Sequence, residues 1–313
     1  MSRFLKVIYF SFFCLTVLPF AHANEGIRVP LKNTTEYTVS SERIEIPIKT
    51  YVITPENYDK TKNYPVLYAF DADLSLGLMQ TLAAQVTRVA NRAGLRPPIV
   101  VTIGYGDEKL ALKRRIKDLT PYADHYDLPE RPNNKKWPPL GGGDRFLDVL
   151  IKDIKPFVEQ RYRVDTKAET LYGHSLGGLL TLHCLVTKPS AFERYAAASP
   201  SLWFNNRKII RDLTSFQHST TTEPKIRLRL TVGTDEEDLL GWSLKYREDI
   251  KMRKKWIKQN RMVTNTKKLA ENIQKTEGRI SLEYDIYGKM EHAIANAPAF
   301  YDALRLTVEP IGQ

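Results

Sequence analysis

Six consecutive residues, Gly173-His174-Ser175-Leu176-Gly177-Gly178, constrain what this chain can fold into more than any other stretch. The strand-like Glu169-Thr170-Leu171-Tyr172 enters them and the apolar Leu179-Leu180-Thr181-Leu182 leaves them. Gly-x-Ser-x-Gly between a strand and a helix is a sharp turn whose serine takes a strained backbone conformation, lifting its hydroxyl clear of the sheet. Small residues must flank it, because a side chain there would collide across the turn. A turn built to expose a serine raises the question of what else in the chain could activate that serine.

The surrounding pattern alternates strands and helices. Arg43 to Thr54 places Ile44, Ile46 and Ile48 between polar neighbours, as a half-buried antiparallel strand does. Pro47 puts that strand at an edge or a bulge. Pro65 to Phe70 and Ile99 to Gly104 are continuous apolar runs of central-strand type. Between them a helix is predicted over Leu76 to Asn91, with Leu78, Leu82, Val86 and Val89 on its apolar face. Strand, helix, strand implies a parallel sheet. Tyr105 to Gly143 is polar, rich in Pro and Gly and weakly periodic, so residues 105–143 read as a long loop lining a ligand crevice. Asp144 is expected to cap a helix through Tyr162 that carries Phe146, Leu147, Leu150, Ile151, Ile154 and Val158 on one side. Further strands are predicted at Tyr195 to Ser199, Ile226 to Val232 and Ile280 to Ile286, and Pro298 to Val308 closes as a helix. Trp242 to Lys275 reads as two helical pieces, the second packing through Met262, Leu269 and Ile273.

At the N-terminus Arg3 and Lys6 precede the apolar run Val7 to Phe20, which ends in Ala21-His22-Ala23. Basic region, apolar stretch and small-residue cleavage site together make a secretory signal peptide. Residues 1–23 are therefore expected to be removed, leaving 24–313 as one domain, periplasmic or secreted, with no stable membrane insertion. Cys14 falls in the signal, so Cys184 alone remains and no internal disulfide can form. Set among Leu180, Leu182 and Leu185, Cys184 is expected to be a buried apolar residue. The formal charge of +11 comes with no nucleic-acid motif, which leaves an anionic small molecule or plain solubility as its meaning. Much of it sits in a basic stretch around 239–260, which is either a solvated face or a contact for an anionic ligand.

A serine hydroxyl is a weak nucleophile and needs an imidazole to accept its proton. His174 neighbours Ser175 and should point away from it; His183 lies on the following helix, and His125 and His218 lie in polar connections. Only His292 follows a late strand downstream of an acidic loop, completing the order Ser, acid, His of α/β hydrolases. The acid is expected in the loop after Gly233, which offers Asp235, Glu236, Glu237 and Asp238 without choosing among them. The oxyanion hole requires two backbone N–H groups, one from Leu176 and one from the Asp71-Ala72-Asp73 turn, where Asp73 is the candidate.

A longer series of residues resembles one family. Tyr64-Pro65-Val66-Leu67-Tyr68 with Asp71, Arg115 with Asp118-Leu119-Thr120-Pro121, Gly142-Gly143 before Phe146-Leu147, Pro156, Tyr162-Arg163-Val164, the Gly173 to Gly178 turn and Ser199-Pro200-Ser201-Leu202-Trp203 occur in order. Together they resemble the esterase D-like, or "putative esterase", α/β hydrolases, whose members include the enterochelin and bacillibactin trilactone siderophore esterases. The resemblance runs from about Glu36 to the C-terminus. It implies an α/β-hydrolase fold, a mostly parallel sheet flanked by helices on both faces, and cleavage of carboxylic esters without metal or organic cofactor. It places the acid three residues past the strand-ending glycine, at Glu236, although some siderophore esterases manage with a Ser-His pair alone. Two features depart from the family pattern: Ala72 replaces a glycine in the oxyanion turn, and the basic insertion is extra.

The expectation is a serine hydrolase that forms an acyl-enzyme on a small-molecule ester, with a catecholate siderophore trilactone favoured as substrate. A carbohydrate or feruloyl esterase or an acyltransferase on the same scaffold is the alternative, followed by a non-catalytic protein that binds anionic ligands.

Overall fold

Two apolar runs, Tyr64–Ala69 and Ile99–Gly104, are buried at every residue and form strands β3 and β4 at the centre of an eight-stranded sheet. The computed structural model describes residues 30–132, 135–219, 225–239, 244 and 246–310, and the signal-peptide reading of residues 1–23 lies outside these. The remaining strands are β1 (Thr34–Ser41), β2 (Ile44–Ile53), β5 (Val164–His174), β6 (Arg194–Ala198), β7 (Ile226–Gly233) and β8 (Ile280–Tyr287). Their order across the sheet is β1-β2-β4-β3-β5-β6-β7-β8. The β1–β2 and β2–β4 pairings are antiparallel and all others parallel. This is the mostly parallel sheet of an α/β hydrolase.

The helices are α1 (Ala72–Arg92), α2 (Glu108–Asp118), α3 (Gly143–Val149), α4 (Lys155–Glu159), α5 (Leu176–Thr187), α6 (Phe204–His218), α7 (Ile250–Asn260), α8 (Met262–Gln274) and α9 (Asn296–Val308). Side chains along a strand alternate between faces, so each central strand feeds two cores. Leu67, Ala69 and Val100 meet Met79 and Ala83 of α1 and Phe300 of α9 on one face. Val66, Tyr68 and Val101 join Leu147 of α3, Leu180 of α5, Leu213 of α6 and Leu269 of α8 on the other.

Several local expectations need correction. The run before Arg43 is itself a strand, β1, pairing antiparallel with β2. Of the two expectations for Pro47, the bulge holds and the edge does not: it sits where the β1–β2 register shifts between Val39 and Ser41, beyond the last β2–β4 pair, so no ladder needs its missing N–H. On α1 the buried stripe is Met79, Ala83, Val86 and Ala90, while Val89 is 56% exposed. Small alanines there, and Ala299 and Ala303 on α9, let the two helices pack closely. The segment read as loop contains an 11-residue helix, α2, capped by the Asp107 side chain on the Leu110 N–H. Its seven charged residues hide the helical period. Asp144 does not cap α3, because Gly142 is the N-cap and the Asp144 carboxylate instead meets His183 at 2.7 Å. Between α3 and α4 the chain makes a π-helical turn at Leu150–Ile154, just before Pro156, which has no N–H to close an ordinary turn.

The elbow joins β5 to α5. Ser175 takes φ 61° and ψ −118°, well outside the relaxed regions for an L-residue. Its amide donates to the Ala198 carbonyl at 3.0 Å, and its own carbonyl accepts from the Ser201 amide at 3.0 Å. Those two bonds tie the turn to the end of β6. Gly173 is forced by contact: a Cβ there would lie 2.2 Å from the Gly177 carbonyl carbon and oxygen. At Gly177 the nearest atom to a Cβ would be a Phe70 ring carbon at 3.4 Å, an ordinary contact. Gly173→Ala should therefore cost about 3 kcal/mol or more by overpacking against backbone, lowering the melting temperature by roughly 6–12 °C. Gly177→Ala should leave it unchanged or slightly raised; thermal melts of the two variants compare these outcomes directly.

Candidate active site

The parallel strands all deliver their C-terminal ends to one edge of the sheet, where β5, β6, β7 and β8 each contribute a group to one hydrogen-bonded line. Ser175 Oγ lies 2.9 Å from His292 Nε2. His292 Nδ1 lies 2.6 Å from Glu236 Oε2. Bonding to a carboxylate assigns the proton to Nδ1, which leaves the Nε2 lone pair facing the serine hydroxyl.

Among the four acidic residues after Gly233, backbone geometry separates Glu236 from its neighbours. Thr234–Glu236 forms a single 3-10 turn that carries the Glu236 side chain inward, where the residue is 5% exposed. Asp235 turns to the Thr234 hydroxyl, and Glu237 accepts from the amide and hydroxyl of Thr264 at the start of α8. The second Glu236 oxygen, Oε1, accepts from the Gly233 amide at 2.7 Å and the Ser199 hydroxyl at 2.5 Å. Burial alone would raise the Glu236 pKa; His292, Ser199 and Gly233 outweigh it, and the carboxyl sits below its ordinary value.

Leu176 opens α5, so its amide is among those left free at that helix N-terminus. Opposite it, Asp71 adopts the left-handed conformation (φ 63°, ψ 40°) and caps α1. The positive φ thus falls on Asp71 while Ala72 is already helical, so the alanine in place of glycine strains nothing. Arg115 of α2 fixes the turn with two bonds to the Asp71 carboxylate, each 2.8 Å. Asp73 stands apart from the cavity lining, and its carboxylate accepts the amides of Tyr105 and Gly106 at 2.8 and 2.7 Å.

A cavity of about 480 Å³ opens over the serine, lined by Ser175, Leu176, Glu236 and His292. Its outer wall is aromatic. Trp137 from the segment after α2, Trp203 from the turn after β6 and Trp256 from α7 contact one another, with ring centroids 5.5–6.2 Å apart. Arg115, Arg131 and Arg253 also line it. Most of the basic charge of α7 faces solvent, with Lys251, Lys255 and Lys258 exposed and Lys255 pairing with Glu130 at 2.6 Å. Among the described residues no group of three or more His, Cys, Asp or Glu is arranged to hold a metal ion.

Two further participants lacked any sign of their role. His174 packs its ring 4.6 Å from that of His292 and bonds the His292 carbonyl through Nε2 at 2.8 Å. Burial and the neighbouring His292 push its pKa down to about 3, so at neutral pH it is an uncharged donor bracing the His292 loop. Ser199, at φ 42°, spends its hydroxyl on Glu236. The Ser199 to Trp203 segment is thus a connector between β6, the elbow and the cavity wall. His125 is exposed, His183 pairs with Asp144 and His218 bonds the Thr214 carbonyl, all away from the serine.

The chain is similar to known proteins over most of its length. The family model described as "Putative esterase" matches residues 41–274. The chain is 34% identical over 245 residues to a siderophore enterobactin esterase of Emericella nidulans, covering 76% of this chain and 80% of that protein. It is 35% identical over 188 residues to the ferri-bacillibactin esterase BesA of Bacillus subtilis, where the match spans 60% of this chain and 65% of the relative's length. Among solved structures, the siderophore hydrolase EstA from Aspergillus nidulans superposes with a TM-score of 0.78 at 29% identity, over 90% of this chain and 98% of that one.

The Glu236 charge makes a pH prediction. A carboxyl held below its ordinary value binds its proton less tightly when folded, so its stabilisation is present above the unfolded-state value and is lost as pH falls through the folded one. Glu236→Gln should therefore lower the melting temperature most at neutral pH, with the difference from wild type shrinking below about pH 4. Melts across pH 3–7 would show a constant offset if the carboxylate charge were irrelevant.

Proposed function

Because the chain belongs to the "Putative esterase" family of α/β hydrolases, we propose that it is a serine esterase working through Ser175, His292 and Glu236. The observation that carries this reading is the unbroken line from Ser175 Oγ through His292 to a buried, charged Glu236. Ser175 Oγ attacks the ester carbonyl while His292 Nε2 takes its proton. Glu236 holds the Nδ1 proton in place and stabilises the imidazolium that forms. The oxyanion is met by the Leu176 amide, aided by the positive end of α5, and by a second amide from the turn at Asp71, which Arg115 fixes beside the elbow. His292 then protonates the leaving alcohol, and a water activated by the same imidazole releases the acyl group.

The substrate is a siderophore ester. Support comes from the printed names of the relatives and from a cavity that pairs indole surfaces with guanidinium groups, chemistry suited to anionic aromatic groups such as catecholates. Residues 1–23 read as a cleaved leader, so the 24–313 domain works in the periplasm or outside the cell. No helix among the described residues is long and apolar enough to cross a membrane.

Ser175→Ala should abolish turnover of p-nitrophenyl acetate and labelling by a fluorophosphonate; an alanine variant as active as wild type sinks the assignment. Glu236→Gln, which donates where it should accept, should lower kcat by between about 10²- and 10⁴-fold. In a substrate panel, iron-free and iron-loaded catecholate triesters should be cleaved in preference to sugar acetates and feruloyl esters. The reverse preference would reject the siderophore reading while leaving the esterase intact.

A further inference from the structure

Helix α7 turns one face into the cavity over Ser175. Arg253, Trp256, Ile257 and Asn260 follow the i, i+3, i+4, i+7 spacing of a single helical stripe, and all line that cavity. Two of them are left unsatisfied. The half-buried Arg253 guanidinium has no hydrogen bond or ion pair to any described residue; burial and Arg247 work against its charge, and the more distant Asp249 and Glu291 offset them only in part. Asn260 is 5% exposed, and its Oδ1 is buried with no donor among the described residues.

The other cationic groups of the cavity are already engaged. Arg115 is neutralised by Asp71. Arg131 lies over the Trp137 ring at 5.2 Å and donates to the Lys136 carbonyl at 2.8 Å. A desolvated cation and a buried acceptor each cost free energy until something meets them. Between them on the same stripe, Trp256 offers an aromatic surface within the tryptophan cluster.

We propose that this face of α7 is a subsite for a planar aromatic group carrying an anionic oxygen, which Arg253 pairs, and a hydroxyl or amide N–H donor, which Asn260 accepts, with Trp256 against the ring. The subsite deepens the esterase reading and rests on it, since the group would belong to an ester whose carbonyl reaches Ser175. It gives Arg253, Trp256 and Asn260 of the basic segment one contact each and leaves the exposed lysines of α7 as a solvated face.

Two probes isolate the claim: 3-hydroxybenzoate, and 3-hydroxybenzamide, which keeps ring and hydroxyl but lacks the charge. Binding is read by quenching of tryptophan fluorescence, to which the cavity contributes three of the chain's four tryptophans. The wild type should bind the anion at least about tenfold more tightly than the amide. Arg253→Ala should erase that preference and Arg253→Lys should retain part of it. Asn260→Leu should weaken both probes, and Lys258→Ala, which removes an exposed charge from the same helix, should leave the preference intact. Equal binding of both probes by wild type, or loss of preference in Lys258→Ala to the extent seen in Arg253→Ala, overturns the subsite. The titration works equally on Ser175→Ala protein, so failure of the esterase reading and failure of the subsite are separately visible.

Discussion

A carboxylate taken out of water stays charged only where donors replace the solvent it has lost. Glu236 finds three: the Gly233 amide, the Ser199 hydroxyl and the His292 ring. These groups lie at the ends of β7, β6 and β8, and His292 continues to Ser175 at the end of β5. One buried charge therefore gathers four strand ends, and the register of the parallel sheet is what brings them within reach. The strained Ser175 turn is held by the same arrangement, because its amide and carbonyl are bonded to Ala198 and Ser201 on either side of Ser199.

The reactive groups and the recognition groups belong to different parts of the molecule. The former stand on strand ends packed from both faces. The latter, Trp137, Trp203 and Trp256 with Arg131 and Arg253, come from connections and from a helix outside the main cores. Arg115 bridges the two, standing on a helix at the cavity edge while it clamps the turn at Asp71. Substrate preference can consequently change at Arg131, Trp137 and the α7 residues without touching the line, whereas Trp203 shares its segment with Ser199 and Ser201, which hold it.

How much of this was legible in the sequence depended on how local the cause was. The elbow is a local steric requirement, so Gly173 and Ser175 were readable directly, and His292 followed from chain order. Choosing Glu236 from four acids needed more than spacing, since a single 3-10 turn and a serine 37 residues away decide which carboxylate goes inward. Helix α2 was hidden by its charges, and the partner that gives Arg115 its purpose lies 44 residues earlier. The stripe on α1 was read correctly at Val86 and partly at Leu82, while Met79, Ala83 and Ala90 were passed over because large leucines look more like core than alanines do. Helix–helix contact at α9 rewards the smaller side chains.

Cys184 has a consequence for how the protein meets electrophiles. It is the single cysteine among the described residues, fully buried on the core face of α5, and burial pushes its thiol up to about 12. Burial disfavours the thiolate and keeps the sulfur away from reagents. Maturation of the described domain requires no oxidant, and thiol-directed inactivators have no purchase on it. On the proposed mechanism, covalent inhibitors consequently divide by warhead: those built for oxygen nucleophiles have Ser175 as a target, and those built for sulfur meet only the buried Cys184.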